Sequence, residues 1–258
     1  MCIRDRTDYR AVDILVASRR TSPLRSARFT GVRWVVAANT GLTDACNRAA
    51  KATNADFIAF VDSRCNRLAP NWLRRLVSHA QLHSVGLVAP SCSQDGTAVG
   101  GGLVLGTRDG FASRAPTRTA QQVSAVGHGC IVMRRWIFEQ ESGFDPSYTD
   151  LDCAVVDLSM RIALRGLEHH WMPTVHVRLR RPSRLARLTT LGSRRADRVR
   201  LREAWQLDDY RDPFWNPNLS LTSTDGALAC PPRHGNDASN DDAPEPCFAT
   251  RPTFKPAT

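Results

Sequence analysis

The sequence predicts an α/β fold in which a mostly parallel, Rossmann-like sheet is flanked by helices. Short apolar runs at residues 13–17, 32–37, 57–61 and 85–90 have the length and composition of buried strands. Segments with helical periodicity separate the later runs. This alternation of strand and helix is typical of parallel strands joined by right-handed crossovers.

Two helices are predicted between these strands. After Gly41, apolar and small residues recur at the spacing of an amphipathic helix, at Leu42, Ala45, Cys46, Ala49 and Ala50. A second helix is expected to start at Pro70, because proline is favoured in the first helical turn. Its apolar residues are Trp72, Leu73, Leu76 and Val77.

The middle of the chain has a different character. Residues 93–113 are rich in glycine, contain two Asp-Gly pairs and predict an antiparallel hairpin. A strand and a short helix ending near Gly143 are expected next. A longer helix is predicted over residues 153–166, with Gly166 as its C-cap, and one or two short strands over residues 169–179.

The last third of the chain is basic and then polar. Residues 178–202 are dense in arginine and predict a helix over part of that range. From Ser223 onward Pro, Asn, Asp and Ser dominate, which predicts a disordered tail. We therefore expect a helical extension to follow the α/β domain.

Composition limits the classes of protein that fit. The formal net charge is +10, and all but two of the 35 basic residues are arginine, so the surface should attract phosphate-rich partners. No apolar run approaches the roughly 20 residues that span a bilayer. The eight cysteines include no C-x-x-C pair and mostly lie in apolar stretches, which favours a reduced, cytoplasmic setting over a disulfide framework or a zinc site.

One strand ends on charged residues. The apolar run 57–61 stops at Asp62-Ser63-Arg64, and a buried parallel strand that ends in an acid delivers a carboxylate to a cleft. Two acids at D-x-D spacing would hold a divalent cation. Because Arg64 stands at the third position, the stretch alone leaves open a working, a rewired or an inactive metal site.

Five segments in order resemble the family 2 glycosyltransferases, most closely the rhamnosyltransferase-like branch that builds bacterial surface polysaccharides. They match the N-x-G-x-x-x-A-x-N helix with its D-x-D strand, the following hairpin, the G-G-F-D turn, the D-V-D-L-C-x-R helix and the D-P-x-Y-N-P-N-L-S motif. The matching segments are residues 39–64, 93–106, 127–148, 155–173 and 212–220.

The resemblance implies a GT-A fold that binds a nucleotide-sugar, such as a UDP- or dTDP-sugar, and a glycan or lipid-linked acceptor. It places a leader at residues 1–10, the GT-A-like domain at 11–178 without the family's first strand and its P-x-Y-N turn, a basic helical extension at 179–222 and the tail at 223–258. The expected location is the cytoplasm, with peripheral contact to the inner face of the membrane.

On the donor side, the resemblance assigns Asp62 to the first D-x-D acid and Asn39 to the helix entry. Arg64 replaces the acid that ligates Mg²⁺ or Mn²⁺ in the family. A guanidinium there would repel a cation, and it could instead contact the diphosphate. Ser18 stands where the family has a nucleoside-binding acid, and the neighbouring Arg19 could reach a phosphate.

On the catalytic side, Val155 occupies the expected position of the general base. Asp157 matches the second acid of that motif, and Arg161 at i+4 suggests a structural ion pair. Asp152, like Asp150, lies about one turn upstream and could serve if the loop is shifted. The acceptor side has two further candidates, namely His128 and Asp145.

The sequence is compatible with three interpretations. The first is a glycosyltransferase with weak, metal-independent or absent activity. The second is a non-catalytic relative that scaffolds an active transferase or docks on an anionic membrane. The third, a nucleic-acid binder, is disfavoured because the arginine-rich stretch 178–202 contains no aromatic residue to stack on bases.

Overall fold

The computed structural model describes residues 7–9, 11–18, 32–36, 40–115 and 117–230, and of Arg67 and residues 184–189 only the backbone. Its strands are β1 Ile14–Ser18, β2 Val32–Val36, β3 Phe57–Val61, β4 Cys65–Arg67, β5 Val85–Gln94, β6 Thr97–Gly100, β7 Gly102–Thr107, β8 Gly110–Ser113, β9 Gln121–Val123, β10 Ala125–Val126, β11 Cys130–Arg134 and β12 Glu168–Leu179. Its helices are α1 Leu42–Lys51, α2 Trp72–Ala80, α3 Arg135–Gln140, α4 Leu151–Ala163 and α5 Arg184–Ala204.

The central sheet has the strand order β3-β11-β5-β12-β4, with β6 paired to β5 and β9 to β12. The α/β class is confirmed, but the expected predominance of parallel pairing needs correction. In the described residues only β1–β2 and β5–β12 pair in parallel, and β11 runs antiparallel between β3 and β5. Strands β3, β5 and β12 still point the same way, because β11 opposes both of its neighbours.

The glycine-rich segment forms two hairpins where the sequence predicted one. Asp95 and Gly96, both at positive φ, close the β5–β6 hairpin in the central sheet. In the second pair Asp109 lies in the turn between β7 and β8 and Gly110, at φ +87°, is the first residue of β8. Strands β7 and β8 belong with β10 to a separate three-stranded antiparallel sheet. Each Asp-Gly pair thus closes its own turn, with its glycine at positive φ.

Alternating residues of β5 separate two hydrophobic cores. Leu87 and Ala89 pack on one side with α3, α4 and the three-stranded sheet. Val88 and Cys92 pack on the other side with α2 and β4. This division follows from the period of two along a strand, which sends successive side chains to opposite faces.

The helices differ from the sequence prediction mainly at their ends. Helix α2 starts at Trp72, two residues after Pro70, and α4 covers 151–163, starting two residues earlier than expected. Gly166 lies just beyond α4 at φ +76°. In the described part of the chain, no helix is long and apolar enough to cross a membrane.

Helix α5 packs onto the main core. Leu201 is fully buried there, as is Leu207 just after the helix. Residues 223–230, predicted to belong to the tail, include a bridge between Leu228 and Leu219. The rest of the predicted tail lies outside the described residues.

Candidate functional site

Strand β3 delivers Asp62 to the edge of the central sheet. The Asp62 amide donates to the carbonyl of Gly129, 3.1 Å away, and so continues the β3–β11 pairing by one residue. His128, which precedes Gly129, is thereby brought beside Asp62 although 66 positions separate them in the sequence. Antiparallel pairing of β3 with β11 is therefore what assembles this site.

Arg64 turns back onto Asp62. Its backbone N–H donates to Asp62 Oδ1 at 2.7 Å, its Nε lies 3.1 Å from both carboxylate oxygens, and its Nη2 donates to Oδ2 at 2.6 Å. The side chain of Arg64 is 26% exposed and that of Asp62 is 11% exposed. The guanidinium thus covers the carboxylate while remaining partly exposed to solvent.

His128 bridges two carboxylates. Its Nε2 lies 3.0 Å from Asp62 Oδ2, and its Nδ1 lies 2.5 Å from Asp152 Oδ1. Both ring nitrogens can donate only when the imidazole is protonated. This geometry therefore favours an imidazolium ion between Asp62 and Asp152.

The pKa values agree with that assignment. Burial opposes protonation of His128, but the charges and hydrogen bonds of Asp152 and Asp62 outweigh it and raise its pKa to about 10. Burial also acts to raise the pKa of Asp62, yet hydrogen bonds from His128 and Arg64 hold that pKa well below its ordinary value. The pKa of Asp152 is lowered too, because His128 outweighs burial.

Arg64 and His128 form a pair of cations on one carboxylate. The Arg64 Nη2 lies 3.3 Å from His128 Nε2. When His128 is protonated both nitrogens are donors and repel each other, and this repulsion is offset by the shared Asp62 and by the nearby Asp152. With Asp152 included, two positive and two negative charges balance.

Small residues make room for the His128 segment. A Cβ atom on Gly127 would lie 2.9 Å from Gly100 Cα, and one on Gly129 would lie 2.7 Å from Cys92 Sγ. Close backbone approach of this kind is what glycine permits. The glycines on either side of His128 therefore allow this segment to pack closely against Gly100 and Cys92.

A buried acid on α5 organises the first turn of α4. Asp197 Oδ2 accepts hydrogen bonds from the backbone N–H of Thr149 at 2.8 Å and of Asp150 at 2.7 Å, and from the Thr149 hydroxyl. Asp152 lies in the turn that starts there. Asp197 thus positions the segment that presents Asp152 to His128.

Asp150 is separate from this cluster. It is buried and forms an ion pair of 3.2 Å with Arg194 of α5. Burial, together with the neighbouring Asp152, raises the pKa of Asp150 above its ordinary value. Asp150 therefore has more affinity for a proton than either acid that contacts His128.

The site does not suit the Mg²⁺ or Mn²⁺ ion that the resemblance implies. Both oxygens of Asp62 already accept bonds from Arg64 or His128, and Arg64 adds a fixed positive charge. Among the described residues, no group of three His, Cys, Asp or Glu side chains is arranged to hold a metal ion. A divalent cation here would meet two positive charges and an occupied carboxylate.

The remaining predicted residues lie elsewhere. Val155 is buried in the core, and Asp157 accepts bonds from Arg161 at 2.8 Å and from the Trp205 indole at 3.0 Å. Asp145 accepts a bond from the Ser147 backbone in a turn, and Ser18 ends β1. Two donor-side candidates, Arg19 and Asn39, lie outside the described residues.

The fold is shared with a solved glycosyltransferase. A crystal structure of GalNAc-T7 with UDP, GalNAc and Mn²⁺ matches with a TM-score of 0.54 and 16% identity, over 68% of this chain and 37% of that chain. The chain has the GT-A fold. A mannosyltransferase from Pyrobaculum calidifontis, PcManGT with GDP-Man and Mn²⁺, matches with a TM-score of 0.48 and 18% identity, over 71% of this chain and 48% of that chain.

Two curated proteins are similar in sequence to this GT-A chain. RfbC, an O-antigen biosynthesis protein of Myxococcus xanthus, is 30% identical over 212 residues, which cover 73% of this chain and 16% of RfbC. The uncharacterized protein y4gI of Sinorhizobium fredii (strain NBRC 101917 / NGR234) is 28% identical over 203 residues, covering 72% of this chain and 22% of y4gI. The chain thus spans less than a quarter of the length of these relatives. No family model matches it.

Proposed function

We propose that this GT-A chain binds a nucleotide-sugar donor and serves sugar transfer to a surface polysaccharide or another glycan, with weak turnover or none. The observation that carries the proposal is the group of Asp62, Arg64, His128 and Asp152 at the end of β3. The similarity to an O-antigen biosynthesis protein supports a polysaccharide acceptor.

In this proposal Arg64 takes the role of a divalent cation at the diphosphate. Its Nε and Nη2 atoms bind Asp62, so Nη1 is left to donate to a ligand oxygen. Guanidinium groups bind phosphate oxygens with strong, charge-assisted hydrogen bonds. A UDP- or dTDP-sugar would therefore bind through a fixed protein charge, without Mg²⁺ or Mn²⁺.

Weak turnover follows from the state of the acids. An inverting transfer needs a base that takes the proton of the acceptor hydroxyl. His128 with a pKa of about 10 is already protonated at neutral pH, and Asp152 is engaged by it. These observations favour a second candidate as well, a donor-binding subunit that does no chemistry and acts with a catalytic partner.

The test is calorimetric titration of the 258-residue chain with UDP, UDP-sugars and dTDP-sugars, in EDTA and in Mn²⁺. We expect weak binding that is equal in both buffers and that falls at least fivefold in Arg64→Gln. The matched control is Arg108→Gln, which changes an exposed arginine in the β7–β8 turn. Binding that requires Mn²⁺, or Mn²⁺-stimulated sugar release abolished by Asp62→Asn, would contradict the proposal.

Turnover separates the two candidates. A donor that binds and is slowly hydrolysed or transferred, at a rate lowered by Asp152→Asn, supports a weak transferase. A donor that binds but shows no hydrolysis or transfer above background supports the non-catalytic subunit.

A further inference from the structure

A groove with a basic rim lies beside the candidate donor site. A cavity of about 570 Å³ lies between the Asp95-Gly96 turn and residues 178–181 at the end of β12. A second cavity of about 170 Å³ shares Gly96 and Arg178 with it. Together they form one groove along the β5–β6 hairpin, and the larger cavity falls in the range of about 300–1,000 Å³ typical of small-ligand sites.

The rim of the groove is positively charged. Arg178, Arg180 and Arg181 line it, and Asp95 is the one carboxylate among its described lining residues. Asp95 is already engaged in an ion pair with Arg181. Within the described part of the chain, Arg178 and Arg180 form no ion pair. Two guanidinium groups are therefore left to bind an anion.

The floor of the groove offers neutral hydrogen-bonding groups above the buried ring of Trp171. Ser93 Oγ lies 2.8 Å from His176 Nε2, and the Trp171 indole donates to Ser91 Oγ at 3.2 Å. Burial and the charge of Arg178 lower the pKa of His176, so its ring is neutral near pH 7 and can both donate and accept. Hydroxyl and imidazole groups of this kind suit the hydroxyl groups of a sugar.

A direct backbone bond joins the groove to Arg64. The Arg180 N–H donates to the Arg64 carbonyl at 2.9 Å. The backbone of the arginine rim is therefore in direct contact with the backbone of the proposed diphosphate-binding residue. The described lining of the groove includes neither Asp62 nor Arg64, so a ligand in the groove would lie near the proposed donor site without sharing these residues.

We propose that this groove binds a saccharide carrying a phosphate or carboxylate group, with the anion on Arg178 and Arg180 and the sugar hydroxyls on the Ser91, Ser93 and His176 side. The identification of this saccharide as the acceptor rests on the proposed function. The prediction that the groove binds an anionic saccharide is independent of it, because that prediction follows from the charge and the polar floor of the groove.

The test is titration of the 258-residue chain with glucose 1-phosphate, glucuronate, glucose and inorganic phosphate, followed by ligand-observed NMR. We expect both anionic sugars to bind at least fivefold more tightly than glucose and than inorganic phosphate. The double variant Arg178→Gln/Arg180→Gln should lose that difference, whereas Arg108→Gln should keep it. Preference for one anionic sugar would identify the charge as phosphate or carboxylate.

Equal binding of glucose 1-phosphate and inorganic phosphate would overturn the saccharide part of the proposal. Equal binding of glucuronate and glucose, with no effect of the double variant, would overturn the proposal as a whole. Circular dichroism and thermal melting of the double variant show whether a loss of binding reflects misfolding.

Titration with UDP distinguishes this inference from the donor proposal. We expect Arg64→Gln to weaken UDP and leave glucose 1-phosphate within twofold, and the double variant at Arg178 and Arg180 to do the reverse. If UDP fails to bind while the anionic sugars bind, the donor proposal fails and the groove remains. If the double variant weakens UDP alone, the groove belongs to the donor and this inference fails.

Discussion

At the scale of single residues, His128 determines the electrostatics of the site. It is 10% exposed and lies between two acids, so its charge holds Asp62 and Asp152 close together. Without that charge, two carboxylates would face each other across a neutral ring, which is costly in a partly buried site. His128 is thus a structural cation in this site.

His128 should make stability depend on pH. Its pKa is raised from 6.5 when unfolded to about 10 when folded, so its contribution is complete below about pH 6.5 and is lost as the pH rises toward 10. Over that window, unfolding releases up to one proton from His128. The free energy of unfolding therefore falls by at most about 1.4 kcal/mol for each unit that the pH rises. We expect His128→Gln to reduce this slope, measured by urea unfolding between pH 6.5 and 10.

The exposed His83 provides the control for that measurement. His83→Gln should keep the slope of the native chain, because His83 does not contact the site. An unchanged slope in His128→Gln would mean that His128 is not protonated in the folded chain.

Asp62 could be predicted from the sequence because a local signal marks it: an apolar strand that ends in an acid. His128 and Asp152 were separate candidates, and nothing in the sequence indicated that they are in contact. Their contact depends on β11 pairing antiparallel beside β3, and no local pattern in the sequence encodes that tertiary neighbour. The same pairing explains why the sheet is less parallel than predicted.

At the scale of elements, the contact between α4 and α5 is the one that supports the site. Asp197 is 4% exposed and accepts three hydrogen bonds at the start of α4, 47 and 48 positions away in sequence. The sequence carried one signal for it, since Asp197 is the only acid in the arginine-rich stretch 178–202. Its hydrogen-bond partners lie too far away along the chain for any local sequence pattern to indicate them.

Asp197→Asn should destabilise the fold by about 1–3 kcal/mol, because it weakens charge-assisted bonds to a buried helix start. Asp208→Asn, which removes the exposed partner of Arg202, should change stability by less than about 1 kcal/mol. Urea denaturation of both variants measures the difference. Equal stability of the two would show that the Asp197 cap contributes little.

At the scale of the whole molecule, α5 belongs to the main body of the fold. Several of its arginines are used internally. Arg194 pairs with Asp150, Arg198 lies 4.2 Å from the centre of the Phe111 ring, and Arg200 donates to the Ser147 carbonyl. The basic composition of this helix therefore reflects bonds within the protein as well as exposed charge. Peripheral membrane contact through this region stays a prediction.

Two leucines on α5 test this placement. Leu201 is fully buried and Leu191 is 59% exposed. Leu201→Ala should lower the free energy of unfolding by about 2–5 kcal/mol through the cavity it leaves. Leu191→Ala should change it by about 0.5 kcal/mol or less. If the chain unfolds in a single cooperative transition and Leu201→Ala leaves its free energy of unfolding unchanged, α5 does not fold with the core.

The shared carboxylate of Asp62 also affects how this site can change by mutation. Replacing Arg64 alone leaves the imidazolium of His128 on Asp62 Oδ2, and replacing His128 alone leaves the guanidinium. Neither single substitution leaves the carboxylate without a cationic partner, so we expect the effects of changing the two positions to be non-additive. A mutational path from this site to one that holds a divalent cation would therefore have to change both Arg64 and His128.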